Sequence, residues 1–189
     1  VSSDKSLLSQ TLKQAVFNDY DYRLLSDDTP VTIEHMKDFD RFDKKDLPLY
    51  NDFAYKVLDV ENAVDLGLYE EKVLKNGKTK KVKSKAVLKQ RIVITFSRKA
   101  MEYQRHIRNA QIERARNILK YRDVEEIKKG PHDVKRFIKR TSVTKDGEEA
   151  VDYYEIDQSV IDEEEKYDGY YAVATNLDDD AKDILNINS

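Results

Sequence analysis

The period of the apolar positions changes several times along this chain, and each change marks an element. Across 2–17, Leu7, Leu8, Leu12, Ala15 and Val16 recur at helical spacing behind Ser2, Ser3 and Asp4 as candidate N-caps, which predicts a helix. Tyr20 to Leu25 reads as a short strand closed by the turn-like Ser26-Asp27-Asp28-Thr29-Pro30. Val31 to Pro48 is acidic and mixed, a helix with loops. Asp52 to Asp65 alternates in part and predicts a strand. Leu68 to Leu74 and a return strand reaching Phe96 flank Lys75-Asn76-Gly77-Lys78. Asn-Gly is a strong hairpin signal because both residues tolerate positive φ. The return strand opens as Lys80-Lys81-Val82-Lys83 and becomes continuously apolar only at Ile92-Val93-Ile94. One end is therefore expected in water and the other in a core.

Ser97 is placed to cap a long helix through Lys120, with Ala100, Met101, Ile107, Ala115, Ile118 and Leu119 sharing one broad face. Lys129-Gly130-Pro131 is a break. Strands follow around Arg140 to Thr144 and Ala150 to Ile156, joined by Lys145-Asp146-Gly147, then an acidic helix from Gln158 to Lys166. Tyr167-Asp168-Gly169 launches a strand from Tyr170 to Thr175, and Asp178 to Ile187 starts a helix whose aspartates suit its dipole. No internal repeat interrupts this series. The pattern predicts a mixed α+β fold with a hairpin-rich middle.

Composition adds bounds. The 189 residues suit one domain or slightly more, and 38% charged residues with a mean hydropathy of −0.78 predict long polar helices and exposed loops. Twelve Tyr and 6 Phe supply material for a core and argue against disorder throughout. Without cysteine there is no disulfide, thiolate ligand or thiol nucleophile, which fits a reducing cytoplasm. Neither a membrane span nor a secretory signal is read from the chain, so the expectation is a cytoplasmic protein with no membrane partner. Starting at Val1 without Met and ending in polar residues, the chain reads as cut from something longer.

Charge changes the picture most. Glu71 to Arg122 holds 17 Lys and Arg against 3 acidic residues, leaving 17 basic and 34 acidic residues elsewhere. A strongly basic module thus lies between two acidic arms. Cationic surfaces attract polyanions, nucleic acid foremost. The candidate DNA contacts are Lys80, Lys81, Lys83, Arg91, Arg98, Lys99, Arg105, Arg108, Arg114 and Arg116. At 100° per residue Arg105, Arg108, Arg114 and Arg116 spread around the polar side of the helix, where several can line a phosphate track while the apolar face packs on a sheet. The other reading is a set of cations that only solvates a helix and a hairpin. Tyr69, Phe96 and Tyr103 can stack on an exposed base or belong to core and strand surface.

Catalytic chemistry is sparse. His35, His106 and His132 stand apart in no ligand spacing. Glu163-Glu164-Glu165 and Asp178-Asp179-Asp180 resemble metal sites, yet consecutive helical residues point in different directions, so both read as solvated helix ends. The 5 glycines form no phosphate loop, and neither Gly-x-Ser-x-Gly nor His-Glu-x-x-His occurs.

Two runs carry a family resemblance. Gln90-Arg91-Ile92-Val93-Ile94-Thr95-Phe96-Ser97-Arg98-Lys99 with its Arg-rich helix to Lys120 resembles bacterial insertion-sequence transposases of the DDE type. So does Glu165-Lys166-Tyr167-Asp168-Gly169-Tyr170-Tyr171-Ala172-Val173-Ala174-Thr175-Asn176-Leu177, with Asp183-Ile184-Leu185 close behind. The resemblance runs from about Tyr55 to Ser189 and is looser before that. It implies a ribonuclease H-like core carrying three acids that bind two metal ions, interrupted between the second and third acid by a β-rich insertion domain. On that reading 1–25 is a flanking core element, 26–160 the insertion domain with basic helix 97–120, and 161–189 a core strand and the start of the next helix.

The catalytic acids would then lie outside this chain: two upstream of Val1, the third in a Tyr-Arg-Glu-Lys helix beyond Ser189. No catalytic or metal-binding residue is carried over, and the piece alone is expected to be inactive. Mg2+ is expected only for the full-length parent, and transposon-end DNA and a homodimer of that parent are the implied partners. Some relatives hold a flipped base with a tryptophan, and this chain has none. The resemblance predicts DNA binding that weakens steeply with salt and shows little sequence preference. The rival is a scaffold or protein-interaction module whose basic helix is shielded by Glu163 to Glu165 or Asp178 to Asp180. An independent enzyme is disfavoured by the missing site residues.

Overall fold

A computed structural model describes residues 10–75, 77–121, 133–143, 151–177 and 179–187. They fall into two units: Val1–Phe96 with Tyr171–Ser189, and Ser97–Tyr170. Mixed helix and antiparallel strand bear out the α+β expectation.

The first unit is built on a four-stranded sheet in the order β1 (Arg23–Leu24), β2 (Ala54–Val73), β3 (Thr79–Phe96), β6 (Tyr170–Thr175). Strands β2 and β3 form one long antiparallel ribbon, registered from Ala54↔Phe96 out to Val73↔Thr79. At about 3.3 Å per residue this ribbon approaches 60 Å. The two strands expected at Asp52 to Asp65 and Leu68 to Leu74 are a single strand. A register shift between Asp65 and Tyr69, where Gly67 sits at φ +69°, takes up the irregularity without ending the pairing. Pairing ends at Val73↔Thr79, and Asn76 of the expected turn lies outside the described residues. Gly77 N–H donates to Leu74 O (2.9 Å) and Leu74 N–H to Lys78 O (2.8 Å), with Gly77 at φ +75°.

As expected, the ribbon is wet at one end and dry at the other. Ile92, Val93, Ile94, Thr95 and Phe96 are all buried, so the sheet is covered on both faces there. Val93 packs with Val173, Ala181 and Ile184, the last two from α6 (Ala181–Ile187). That helix begins later than expected, with the Asp180 carboxylate accepting from Asp183 N–H (2.9 Å) at its start. On the other face, Lys56 lies opposite Ile94 and is buried. Its ammonium donates to Ala15 O (3.1 Å) and Asn18 O (3.1 Å), at the end of α1 (Gln10–Phe17), and to Tyr20 O (2.9 Å).

Tyr20 to Leu25 is mostly turn rather than strand, because Asp21 adopts φ +70° and Tyr22 is buried with its hydroxyl donating to Val16 O (2.7 Å). The acidic stretch folds as α2 (Ile33–Asp38), where Thr32 accepts from His35 N–H (3.1 Å), and the single turn α3 (Leu47–Tyr50).

The second unit forms around α4 (Arg98–Tyr121). Ser97 Oγ accepts from Ala100 N–H (3.3 Å), the expected cap. Ile112 and Ala115 of α4 pack with Phe137, Ile138 and Ile161. These come from a 3-10 turn (Val134–Phe137), strand β4 (Ile138–Val143) and helix α5 (Gln158–Glu165), while β5 (Val151–Ile156) pairs antiparallel with β4. Ile107, assigned to the apolar face from sequence, is exposed; Arg108 takes a buried position instead. The Lys129-Gly130-Pro131 break, the Lys145-Asp146-Gly147 turn, His132 and Asp178 lie outside the described residues.

Candidate nucleic-acid interface

Along the ribbon, the residues that face each other decide which cations are spent on neighbours. Near its base, Asp59 pairs with Arg91 (Oδ1–Nε 2.9 Å) and Glu61 with Lys89 (3.9 Å). The Arg91 hydrogen bond, resisted by a small burial effect and aided by its charge, holds the Asp59 carboxyl below its ordinary range. Arg91 also donates to Asp179 O (3.1 Å), so it is a structural link rather than an open cation. A groove of about 650 Å³ here is lined by Asp59, Glu61, Lys89, Arg91 and Asn176, acids and bases matched.

Farther out the balance changes. Lys72 stands directly opposite Lys80, and Glu71 opposite Lys81. Alternation puts Lys72 and Lys80 on one face of the ribbon, and Lys81, Lys83 and Tyr69 on the other. Lys80, Lys81 and Lys83 are all exposed, as is Tyr69. The side chains of Lys72, Lys80 and Lys81 form no ion pair or hydrogen bond among the described residues.

Helix α4 treats its cations differently. Arg108 is buried and bidentate to Asp168, Nη1–Oδ1 2.6 Å and Nη2–Oδ2 2.7 Å, with Glu165 Oε1 3.2 Å from Nη2. Burial opposes its charge, but the hydrogen bonds and attraction to Asp168 prevail and raise its pKa. Arg105 Nε adds a contact to the same carboxylate (3.4 Å), and Gly169 N–H donates to Gln104 Oε1 (2.7 Å). Arg98 pairs with Glu102 (3.0 Å) and Arg116 with Glu113, one helical turn away.

Arg108 therefore does not belong to a phosphate track. A guanidinium enclosed with its own carboxylate has no donor to offer outside. Lys99 and Arg114 are the candidate cations of α4 that are exposed and make no pair among the described residues.

Two other sequence expectations change. Phe96 is fully buried and unavailable for stacking, whereas Tyr69 and Tyr103 are 62% and 67% exposed. The glutamates of α5 are not merely solvated: Glu163 pairs with Lys166 (2.6 Å), Glu164 with Arg136 (2.7 Å) and Glu165 with Arg108. They point three ways, as consecutive helical residues must, and do not suit a shared ion. No group of residues fit to hold a metal occurs among those described. His35 is exposed on α2 and His106 on α4.

Sequence reasoning missed Asp168, Arg136 and Lys56 as organising groups. Arg136 bridges Glu164, Gln111 Oε1 (2.7 Å) and Asp133 O (3.1 Å). A lone charge in sequence carries no mark of its distant partner; the Asp-Gly turn at 168–169 was the available hint. No helix among the described residues is long and apolar enough to cross a membrane. The chain matches no family model, no curated protein and no solved structure.

Proposed function

We propose that this chain is a DNA-contacting portion of a DDE-type transposase, and that the outer β2–β3 ribbon grips the backbone of transposon-end DNA. The observation carrying this reading is the Lys72–Lys80 pair: like charges directly opposite across strands repel, and an anionic partner relieves that repulsion. Lys81 and Lys83 present cations on the second face, which suits a ribbon between two phosphate walls of a major groove. Cleavage and strand transfer belong to the longer parent, where Mg2+ would stabilise attacking and leaving oxygens from carboxylates outside this chain. The carboxylates described here do not fit that role, so no chemical step is assigned to them. A protein handling DNA in the reducing cytoplasm suits a chain without cysteine.

The test is the salt dependence of duplex binding by the full chain. The double substitution Lys80→Gln/Lys81→Gln should shallow the log K against log salt slope by about 2. An unchanged slope rejects the ribbon as the contact.

A second reading, a protein-interaction module, draws on one observation: Asp168 and Glu165 neutralise part of the basic helix from within. It predicts no duplex affinity above background even at low salt.

A further inference from the structure

We infer that the outward face of α4 reads base edges in the major groove of duplex DNA, adding sequence preference to backbone binding; the inference rests on the DNA reading above for its partner. Met101, Arg108, Ile112 and Ala115 define the buried side of the helix. On the opposite side, Lys99, Tyr103, His106, Ala110, Asn117 and Tyr121 fall within about 60° of arc at 3.6 residues per turn. All six are exposed, and Tyr103 and Tyr121 are 67% and 71% so.

An ordinary solvated helix face alternates glutamate and lysine at four-residue spacing. This one holds no carboxylate. The helix's two glutamates, Glu102 and Glu113, lie outside the arc and are paired with Arg98 and Arg116. Glu113 flanks the stripe beside His106 and Asn117, but Arg116 matches its charge.

The side-chain types point to bases as well as phosphates. The Asn117 amide matches adenine N6 and N7 with two hydrogen bonds, and the methyl of Ala110 suits the methyl of thymine. A ring N–H of His106 can donate to the guanine acceptors O6 and N7. Ala110 also leaves the middle of the stripe shallow, so the backbone can approach the base edges closely. From 106 to 117 the helix rises about 16 Å, or about five base-pair steps at 3.4 Å. The side chains of Lys99, Tyr103, His106 and Asn117 make no hydrogen bond or ion pair among the described residues, so their polar atoms are uncommitted. Arg114, flanking the arc, is placed for a phosphate. With Arg108 enclosed by Asp168 and Arg105 touching the same carboxylate, Lys99 and Arg114 are the candidate cations left unpaired beside these neutral groups. A face suited only to phosphates would show the reverse.

The decisive experiment selects binders from a random duplex library of roughly 20 base pairs with the full chain, then measures winner and scrambled duplexes at two salt concentrations. Selection should converge, with the winner preferred on the order of 10- to 100-fold. Asn117→Ala should relax the selected sequence at one position and cut the preference about 10-fold, while the scrambled duplex binds with an unchanged salt slope. Alanine favours helix, so circular dichroism of the variant should match that of the parent chain. Binding without convergence, or a preference that survives the substitution at every position, overturns base reading and leaves the ribbon proposal standing. Absence of salt-dependent binding to any duplex overturns both. A dimer dissolved by Tyr103→Ser, with DNA selection unaffected, assigns the face to a second copy of the chain and likewise overturns the inference.

Discussion

Lys80 and Lys81 on the ribbon and Arg105 and Arg108 on α4 belong to the same basic stretch of sequence, yet the fold uses them oppositely. The lysines stand in water on a two-stranded element whose cross-strand neighbours include another lysine. Arg108 turns inward to one carboxylate, Asp168, some 60 residues away in sequence, and the more exposed Arg105 touches that carboxylate from the side. Arginine suits that place because its planar fork donates two parallel hydrogen bonds to a carboxylate and tolerates partial dehydration better than an ammonium. Lysine suits the ribbon, where a compact, hydrated charge on a long stem keeps an edge soluble and open to an anion. Charge density alone is therefore no map of a binding surface. What matters is whether each cation already has its anion.

The sharpest way to break this contrast is Asp168→Ala. It would leave Arg108 enclosed without its partner and should cost about 3–5 kcal/mol in urea unfolding. Replacing both, as Arg108→Met/Asp168→Leu, should recover most of that loss. If Asp168→Ala proves as mild as a ribbon lysine substitution, the pair is not structural and Arg108 returns to the list of DNA contacts.

Lys56 tests the contrast inside the first unit, as a lysine used in the arginine's manner. Lys56→Met removes the donor shared by three carbonyls and should cost about 1–3 kcal/mol. Burial lowers the Lys56 pKa from its ordinary 10.5, only partly offset by Asp21 and Asp19. The unfolded chain then holds this proton more tightly than the folded one. Its contribution to stability should accordingly rise with pH through the window just below 10.5, and the Met variant should lack that rise.

Smaller effects sharpen the ribbon side. Gly77→Ala places a side chain at φ +75° with nothing within 4 Å, so the cost is conformational, about 1 kcal/mol in a thermal melt. Lys80→Gln/Lys81→Gln should change stability least, within about 0.5 kcal/mol, while moving the salt slope of DNA binding. A large stability loss there would mean the ribbon lysines have structural partners after all.

Much of the fold was legible in local pattern. The ribbon strands, the Ser97-capped helix, the β4–β5 pair and strand β6 all follow from periodicity, turn residues and caps, which act over a few residues. The joining of two expected strands into β2 was not legible, because Gly67 reads equally as a break or as a bulge. Nor was the reach of α1's last carbonyls to Lys56, since that bond needs the sheet in place.

The site divides along the same line. Sequence by itself determined where positive charge is concentrated and that α4 has a polar side, since both depend on residue identity and helical period alone. Only the tertiary structure decided which cations remain available: Arg108 and Arg105 found Asp168, Arg91 found Asp59 and the 179 carbonyl, while Lys80, Lys81, Lys99 and Arg114 stayed exposed. The reason is physical. Ion pairing and desolvation act through space over a few ångströms, and the chain brings those partners together only when folded.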